Sequence, residues 1–398
     1  MIPALRKAFN DNYTHEKYKA FMKELSDVHP GQLDFRVAET PVFIDQGFKK
    51  KILDSCEKIV DLIVDPRFKE YTKNAVPPAL NVPNEDNHPD FMSFDFGVCI
   101  NEEGRYEPQL IEMQGFPTMF AYQVLLPEIS KKHFHVPEYF DCYLHGYTKE
   151  TYLHLLKEII LRNHDPKNVI LLEVVPEQQK TRIDFFATED YLGIKMVCLT
   201  DLIKEGNKLY YKNDGKKTQV KRIYNRLIFD DLQKHSPEVR DKGKILFEEL
   251  DVEWVPHPNW FYRISKYTLP FIHHPYIPET YFLNDIIQPP GDLENYVLKP
   301  LFSFAGQGVI IDIAPGDFDK IKDPENWILQ KKVKYADVIE TPDGPAKVEV
   351  RIFYFWRPGE KRPVPGNNLA RLSKGKMIGV RYNEDKTWVG SSFCWFEK

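Results

Sequence analysis

The segment Tyr296–Asp312, YVLKPLFSFAGQGVIID, decides how this chain is read. A β-prone run ends on Lys299-Pro300, a short loop carries Gly306 and Gly308, and a second β-prone run follows. A lysine leaving a strand offers a cation to a phosphate. Small residues in the connecting turn let backbone N–H groups approach phosphate oxygens. The same layout also describes a plain β-hairpin with a surface lysine, so the neighbouring segments have to choose. Trp327–Val333 (WILQKKV) is an apolar run that turns abruptly basic, as a chain lining an adenine slot and then leaving it would, with Gln330 at its mouth. Lys347–Trp356 (KVEVRIFYFW) alternates, so Glu349, Arg351 and Phe353 share one strand face and Val350, Ile352 and Tyr354 the other. The Glu349–Arg351 neighbourhood reads either as part of a site or as a solvated ion pair.

A second informative stretch lies far upstream. FMSFDFGVCI and EPQLIEMQG flank the turn formers Asn101-Glu102-Glu103-Gly104 and read as a β-hairpin within residues 91–122. With the turn centred near Glu103 and Gly104, Asp95 and Glu112 oppose each other on one face, with Gln114 next along. Opposed carboxylates repel unless water or a cation lies between them. An all-oxygen set of Asp, Glu and Gln suits Mg²⁺ completed by phosphate oxygens; the other reading is a solvated ribbon face.

Taken in order, the D-F pair, the glycine turn, the E-x-Q-x strand and the later lysine strand resemble the synthetase domain of glutathionylspermidine synthase and its permuted ATP-grasp relatives. In that family the metal-binding strands precede the nucleotide lysine. The likeness covers most of the chain, including the stretch ending RIYNRL. It implies ATP and Mg²⁺ as cofactors, with Asp95, Glu112 and Gln114 as Mg²⁺ ligands. It further implies Lys299 and the Ser303–Gly308 loop (Ser303, Gly306, Gln307, Gly308) as phosphate contacts, and Gln330, Lys331 and Val333 within the adenine hinge. The activity implied is ligation of a small-molecule or peptide carboxylate to an amine through an acyl phosphate. Gln114 stands where the family has asparagine, and Ser93 where the glutathionylspermidine enzymes have a catalytic arginine. The charge on an acyl phosphate then needs another cation, and Arg351 and Arg371 are the candidates. Arg226 is the candidate for orienting the acceptor's carboxylate, alongside a plain surface role.

The fold class expected is α+β: an ATP-grasp with permuted chain order, a small α/β layer and a helical N-terminal lobe. The divisions are 1–165 (helical, with the hairpin), 166–258 (α/β, without a G-x-G-x-x-G fingerprint) and 259–398 (strand-rich, nucleotide-binding). A formal net charge of -5 gives no basic field for nucleic acid. No apolar run is long enough to span a bilayer and the first residues lack a signal-peptide core, so the expectation is a cytoplasmic protein with no membrane partner. Five scattered cysteines suggest reduced thiols, not disulfides or zinc. Two other classes stay open: a non-catalytic MgATP-binding or nucleotide-sensing protein, and a metal-dependent hydrolase.

Overall fold

Alternation in the two key stretches has the consequence physics demands of it, since every strand of the main sheet has one face that must be covered. The computed structural model describes residues 2–302, 308–375, 378, 383 and 385–398. Helices α1 (Pro3–Asn12), α2 (His15–Val28), α3 (Gln46–Ile63), α4 (Tyr122–His133), α5 (Lys149–Ile160) and α6 (Arg182–Leu192) surround the sheets. The hairpin strands are β1 (Phe91–Ile100) and β2 (Tyr106–Gln114). A parallel layer holds β3 (Val169–Glu173), β4 (Lys195–Cys198), β5 (Arg222–Asn225) and β6 (Glu253–Val255) in the order β6-β5-β3-β4. Strands β7 (Thr280–Phe282), β8 (Tyr296–Pro300) and β9 (Trp327–Lys331) form an antiparallel sheet in the order β7-β9-β8. Strands β10 (Lys347–Phe355), β11 (Val364–Ser373) and β12 (Gly390–Ser392) join the hairpin in a five-stranded sheet ordered β12-β11-β10-β1-β2.

That last sheet revises the lobe division. The 1–165 and 259–398 stretches do not stand apart, because β1 pairs antiparallel with β10 along Phe91–Gly97 and Glu349–Phe355. The segment GVIIDI, expected as a strand, contributes only an isolated bridge between Leu298 and Ile310. Most of KMIGVRYN lies outside the described residues.

One face of the five-stranded sheet is apolar along β1 and β10. Met92, Phe94, Phe96 and Val98 of β1 and Val348, Val350, Ile352 and Tyr354 of β10 bury against α3. Helix α3 suits this role: Asp45 caps it by accepting from Phe48 N at 2.8 Å, and Phe48, Ile52, Cys56, Ile59, Val60 and Ile63 form its inward stripe. The opposite face is divided. Phe91, Phe353 and Phe355 pack with Phe120 and Tyr152 beneath α4 and α5. The rest of that face carries charge.

Turn chemistry and one close approach fix the hairpin. Asn101 Oδ1 accepts from the N–H of Glu103 and Arg105, and Gly104 takes the left-handed conformation at φ 75°. At Gly97 the ring of Tyr335 lies so close that an added Cβ would sit 2.6 Å from Cε1. This lets Tyr335 cross β1 and donate its hydroxyl to Glu349 Oε2 at 3.0 Å. Gly97→Ala is therefore expected to destabilise by about 1–3 kcal/mol. In urea unfolding, combination with Tyr335→Ala should cost less than the sum of the two single changes; strict additivity would show that the ring is not what excludes the side chain.

Candidate functional site

The charged half of the sheet face is built from three rows of directly paired residues. Glu112, Asp95 and Arg351 stand abreast on β2, β1 and β10, while Gly97, Glu349 and Arg371 form the next row across β1, β10 and β11. Gln114 pairs with Ser93 in the row beyond. Asp95 is fully buried, and Arg351 grips both its oxygens, Nε to Oδ1 at 2.6 Å and Nη2 to Oδ2 at 2.5 Å. Arg371 Nη2 donates to Oδ2 of the same carboxylate at 3.1 Å and also to Glu349 Oε1. Burial pushes the Asp95 carboxyl up, but Arg351 and Arg371 outweigh it and hold the group below its ordinary value. Burial raises Glu349, with the neighbouring Asp95 adding to the rise. Burial would lower Arg371; Glu349 and Asp95 outweigh it and raise the guanidinium.

Within electrostatic reach of Glu112 and Glu349 on that face, Lys299 of β8 donates to Gln330 Oε1 at 2.6 Å. Gln330, only 1% exposed, turns its Nε2 to Thr280 Oγ1 at 2.9 Å, so it is a buried positioning partner of the lysine and not a residue at the mouth of a slot. A second lysine that sequence reasoning missed, Lys266, is 8% exposed and donates to the carbonyl of Leu301 at 3.3 Å. Burial lowers the Lys266 ammonium, and Glu112 partly offsets this. Lys299 falls to about 8, first through burial and then through repulsion from Lys266, against the pull of Glu112 and Glu349. The signal for Lys266 was the glycine at the end of β2. Gly115 donates to Ile264 O at 2.8 Å, and a Cβ there would meet Trp260 O at 2.2 Å, so only glycine lets the Trp260–Lys266 segment dock beside Gln114.

The remaining sequence candidates fall in different places. Gly308, exposed and at φ 74°, follows the strand, while Ser303, Gly306 and Gln307 lie outside the described residues. Lys331 is exposed at the end of β9 and Val333 is partly buried beyond it. Arg226 is not brought to the cluster. It is 6% exposed, donates Nη1 to Pro117 O at 2.8 Å and lies over the Phe116 ring at 4.6 Å. With Asp184, which accepts from the N–H of Met119, Ala121 and Tyr122, it holds the loop after β2 against the parallel layer. His257 is buried and bonded to Pro83 O at 3.0 Å.

In the set read as Mg²⁺ ligands, Asp95 and Glu112 stand opposite each other as expected, and Asp95 is also engaged by arginines. Both oxygens of Asp95 are given to arginines, which leaves Glu112 and Gln114, each of intermediate exposure, as the cation donors. Among the described residues no three Asp, Glu, His or Cys side chains converge as a metal site. The cluster as a whole sets four cations, Lys266, Lys299, Arg351 and Arg371, against the carboxylates Asp95, Glu112 and Glu349. A largely buried site with surplus positive charge is suited to a multiply charged anion.

The fold carrying this site is a glutathione synthetase-like one. A solved structure with which the chain superposes is the glutathione synthetase-like effector GSS30 from Globodera pallida in its apo form, with a TM-score of 0.58. The match covers 97% of this chain and 98% of that one, at 10% sequence identity, and so speaks for the fold alone. No family model matches the chain, and neither does any curated protein sequence. Among the described residues no helix is long and apolar enough to cross a membrane.

Removing the carboxylate at the centre of the cluster should be costly because two guanidinium groups would be left facing each other. Asp95→Asn is expected to lower the unfolding free energy at pH 7 by about 3–5 kcal/mol. Since the folded-state pKa of Asp95 is depressed, its contribution is fully present above the unfolded value near 4 and is lost as pH falls through the folded value. Urea titrations should therefore show the gap between the two proteins closing on acidification, and a gap independent of pH would contradict the assignment.

Proposed function

We propose that the chain is an ATP-grasp-type protein that binds the triphosphate of ATP at this site and uses it to join a carboxylate to an amine, releasing ADP and phosphate. The observation that carries the reading is the gathering of two cation pairs, Lys266 with Lys299 and Arg351 with Arg371, around the carboxylates Asp95, Glu112 and Glu349. On this reading Lys299, held by Gln330, binds phosphate oxygens with Lys266. The adenine lies along the β9 exit at Gln330–Val333. The substrate carboxylate attacks the terminal phosphate, and Arg351 and Arg371, with their forks fixed by Asp95 and Glu349, stabilise the charge on the transferring group. The amine then opens the acyl phosphate. The acceptor pocket is not built by Arg226, whose guanidinium is committed to the loop at Pro117. Binding without turnover is the second reading, favoured by the engagement of Asp95, since a site without a prepared cation set lacks part of what phosphoryl transfer commonly uses.

Two measurements test the proposal. Calorimetry with ATP should give an affinity at least about a hundredfold lower for Lys299→Ala, the loss expected of a charged phosphate contact worth a few kcal/mol. For the unaltered protein, affinity should fall about tenfold between pH 7 and pH 9, because a lysine with a pKa of about 8 passes from mostly protonated to mostly neutral over that range. Lys299→Met should flatten the profile. Unchanged affinity in both variants would remove Lys299 from the site. Turnover is read as ADP release against a panel of amino acids, peptides and polyamines; ATP binding with no release under any pairing selects the second reading.

A further inference from the structure

We propose that the two arginines take the place that divalent cations hold in phosphoryl-transfer sites, so that the site binds a triphosphate without a metal ion. The inference rests on the nucleotide reading above and specifies how the anion's charge is met. Its basis is the accounting of donors and acceptors on the sheet face. Asp95, which stands in one row and is tied to the next by Arg371, already accepts three guanidinium hydrogen bonds: Arg351 takes both oxygens in a bidentate fork and Arg371 shares Oδ2. Glu349, the next carboxylate, is divided between Arg371 and the Tyr335 hydroxyl. A cation entering here would have to displace a guanidinium from a fully buried partner and then lie beside two arginines and two lysines, with only Glu112 and Gln114 to hold it. Mg²⁺ prefers near-octahedral oxygen coordination and gives up water reluctantly, so such a place suits it poorly.

The same geometry leaves the arginines ready for phosphate. Arg351 spends Nε and Nη2 on Asp95, and Nη1 has no hydrogen-bond partner among the described residues. Arg371 spends Nη2 on two carboxylates, and its side chain keeps 39% of its surface exposed. Each carboxylate thus acts as a brace for a planar fork whose remaining N–H groups match phosphate oxygens in a way a lysine's point charge does not. Guanidinium groups cannot be stripped by a chelator, and that difference makes the idea testable.

The experiment is calorimetry of ATP, and separately of inorganic tripolyphosphate, in EDTA and in excess Mg²⁺ at matched ionic strength, on the full chain and on Glu112→Gln. Glu112 is partly exposed and has no arginine clasp, so its replacement should leave the fold intact, and the two views give it opposite signs. If arginines hold the anion, affinities with and without Mg²⁺ should agree within about threefold. Loss of the Glu112 charge should then tighten binding several-fold, since it removes repulsion near the phosphates. If a metal holds it, chelation should weaken ATP binding tenfold or more, or Glu112→Gln should weaken it, and either result overturns the inference while leaving the nucleotide reading in place. Absence of binding to ATP and to tripolyphosphate in both buffers overturns the nucleotide reading and this inference together. As a further check, Arg371→Gln should weaken binding in EDTA by at least tenfold; an unchanged affinity would count against the proposal.

Discussion

The bidentate contact between Arg351 and Asp95 is the constraint on which the rest of this molecule turns. It joins residues 256 positions apart in sequence at the centre of a five-stranded sheet. An aspartate with no exposed surface is tolerable only if its charge is met, and here two arginines meet it. The apolar rows on the other face of the same strands align this pair, because one register places Phe94 opposite Ile352 and Asp95 opposite Arg351 together. A slip by one residue would bury the charges against α3 and expose the phenylalanines, so core and site enforce one another. Gly97 and Tyr335 add the last restraint, fixing the carboxylate of Glu349 that in turn fixes Arg371.

Local parity could be read from the sequence, and long-range partnership could not. The turn at Asn101–Gly104 was enough to place Asp95 opposite Glu112, because hairpin register follows from the turn and a period of two. Alternation alone put Glu349, Arg351 and Phe353 on one face of β10. Nothing in either stretch announced that β1 would pair with β10, since alternating strands from any part of the chain satisfy the same pattern. The sequence therefore offered the upstream carboxylates as a metal set without showing that guanidinium groups are their neighbours. The mistake about Gln330 has the same origin. Its strand was recognisable, but the side chain is directed by Lys299 and Thr280 on the two flanking strands of a sheet whose order, β7-β9-β8, sequence does not disclose. Lys266 was missed because it lies in a short 3-10 turn without periodicity, and its place depends on the close approach at Gly115.

Arg226 shows how a buried cation is assigned wrongly when only its type is known. In the stretch RIYNRL it read either as reaching across an interface or as a surface residue. In the structure its neighbours are aromatic rings and a backbone carbonyl, with Asp184 spending its acceptors on the same loop. Arg222, four positions earlier, does comparable work: it donates to the carbonyls of Ile159 and Ile160 at the end of α5 and pairs with Glu253. Both arginines serve as struts that hold the parallel layer to the main sheet, and strut and site arginines are told apart by where their last free donors point.

The cations at the site are of a different kind, because the fold does not need all of them. Lys299 has a folded-state pKa of about 8 against an ordinary value of 10.5, so the unfolded chain binds the extra proton more readily between those values. By linkage, stability rises with pH through that window, and holding Lys299 charged below it works against folding. Lys266 is lowered in the same direction by its own burial. Two partly desolvated ammonium groups close enough to repel each other are a local conflict in an otherwise consistent structure. Such conflicts mark the places where a sequence serves binding at the expense of stability. A polyanion entering the site would relieve the repulsion between the lysines, return their protonation toward the ordinary range and satisfy the open donors of the arginine pair. On the proposed reading, a ligand with several negative charges would meet these cations, with Arg351 and Arg371 held in place for it by Asp95 and Glu349.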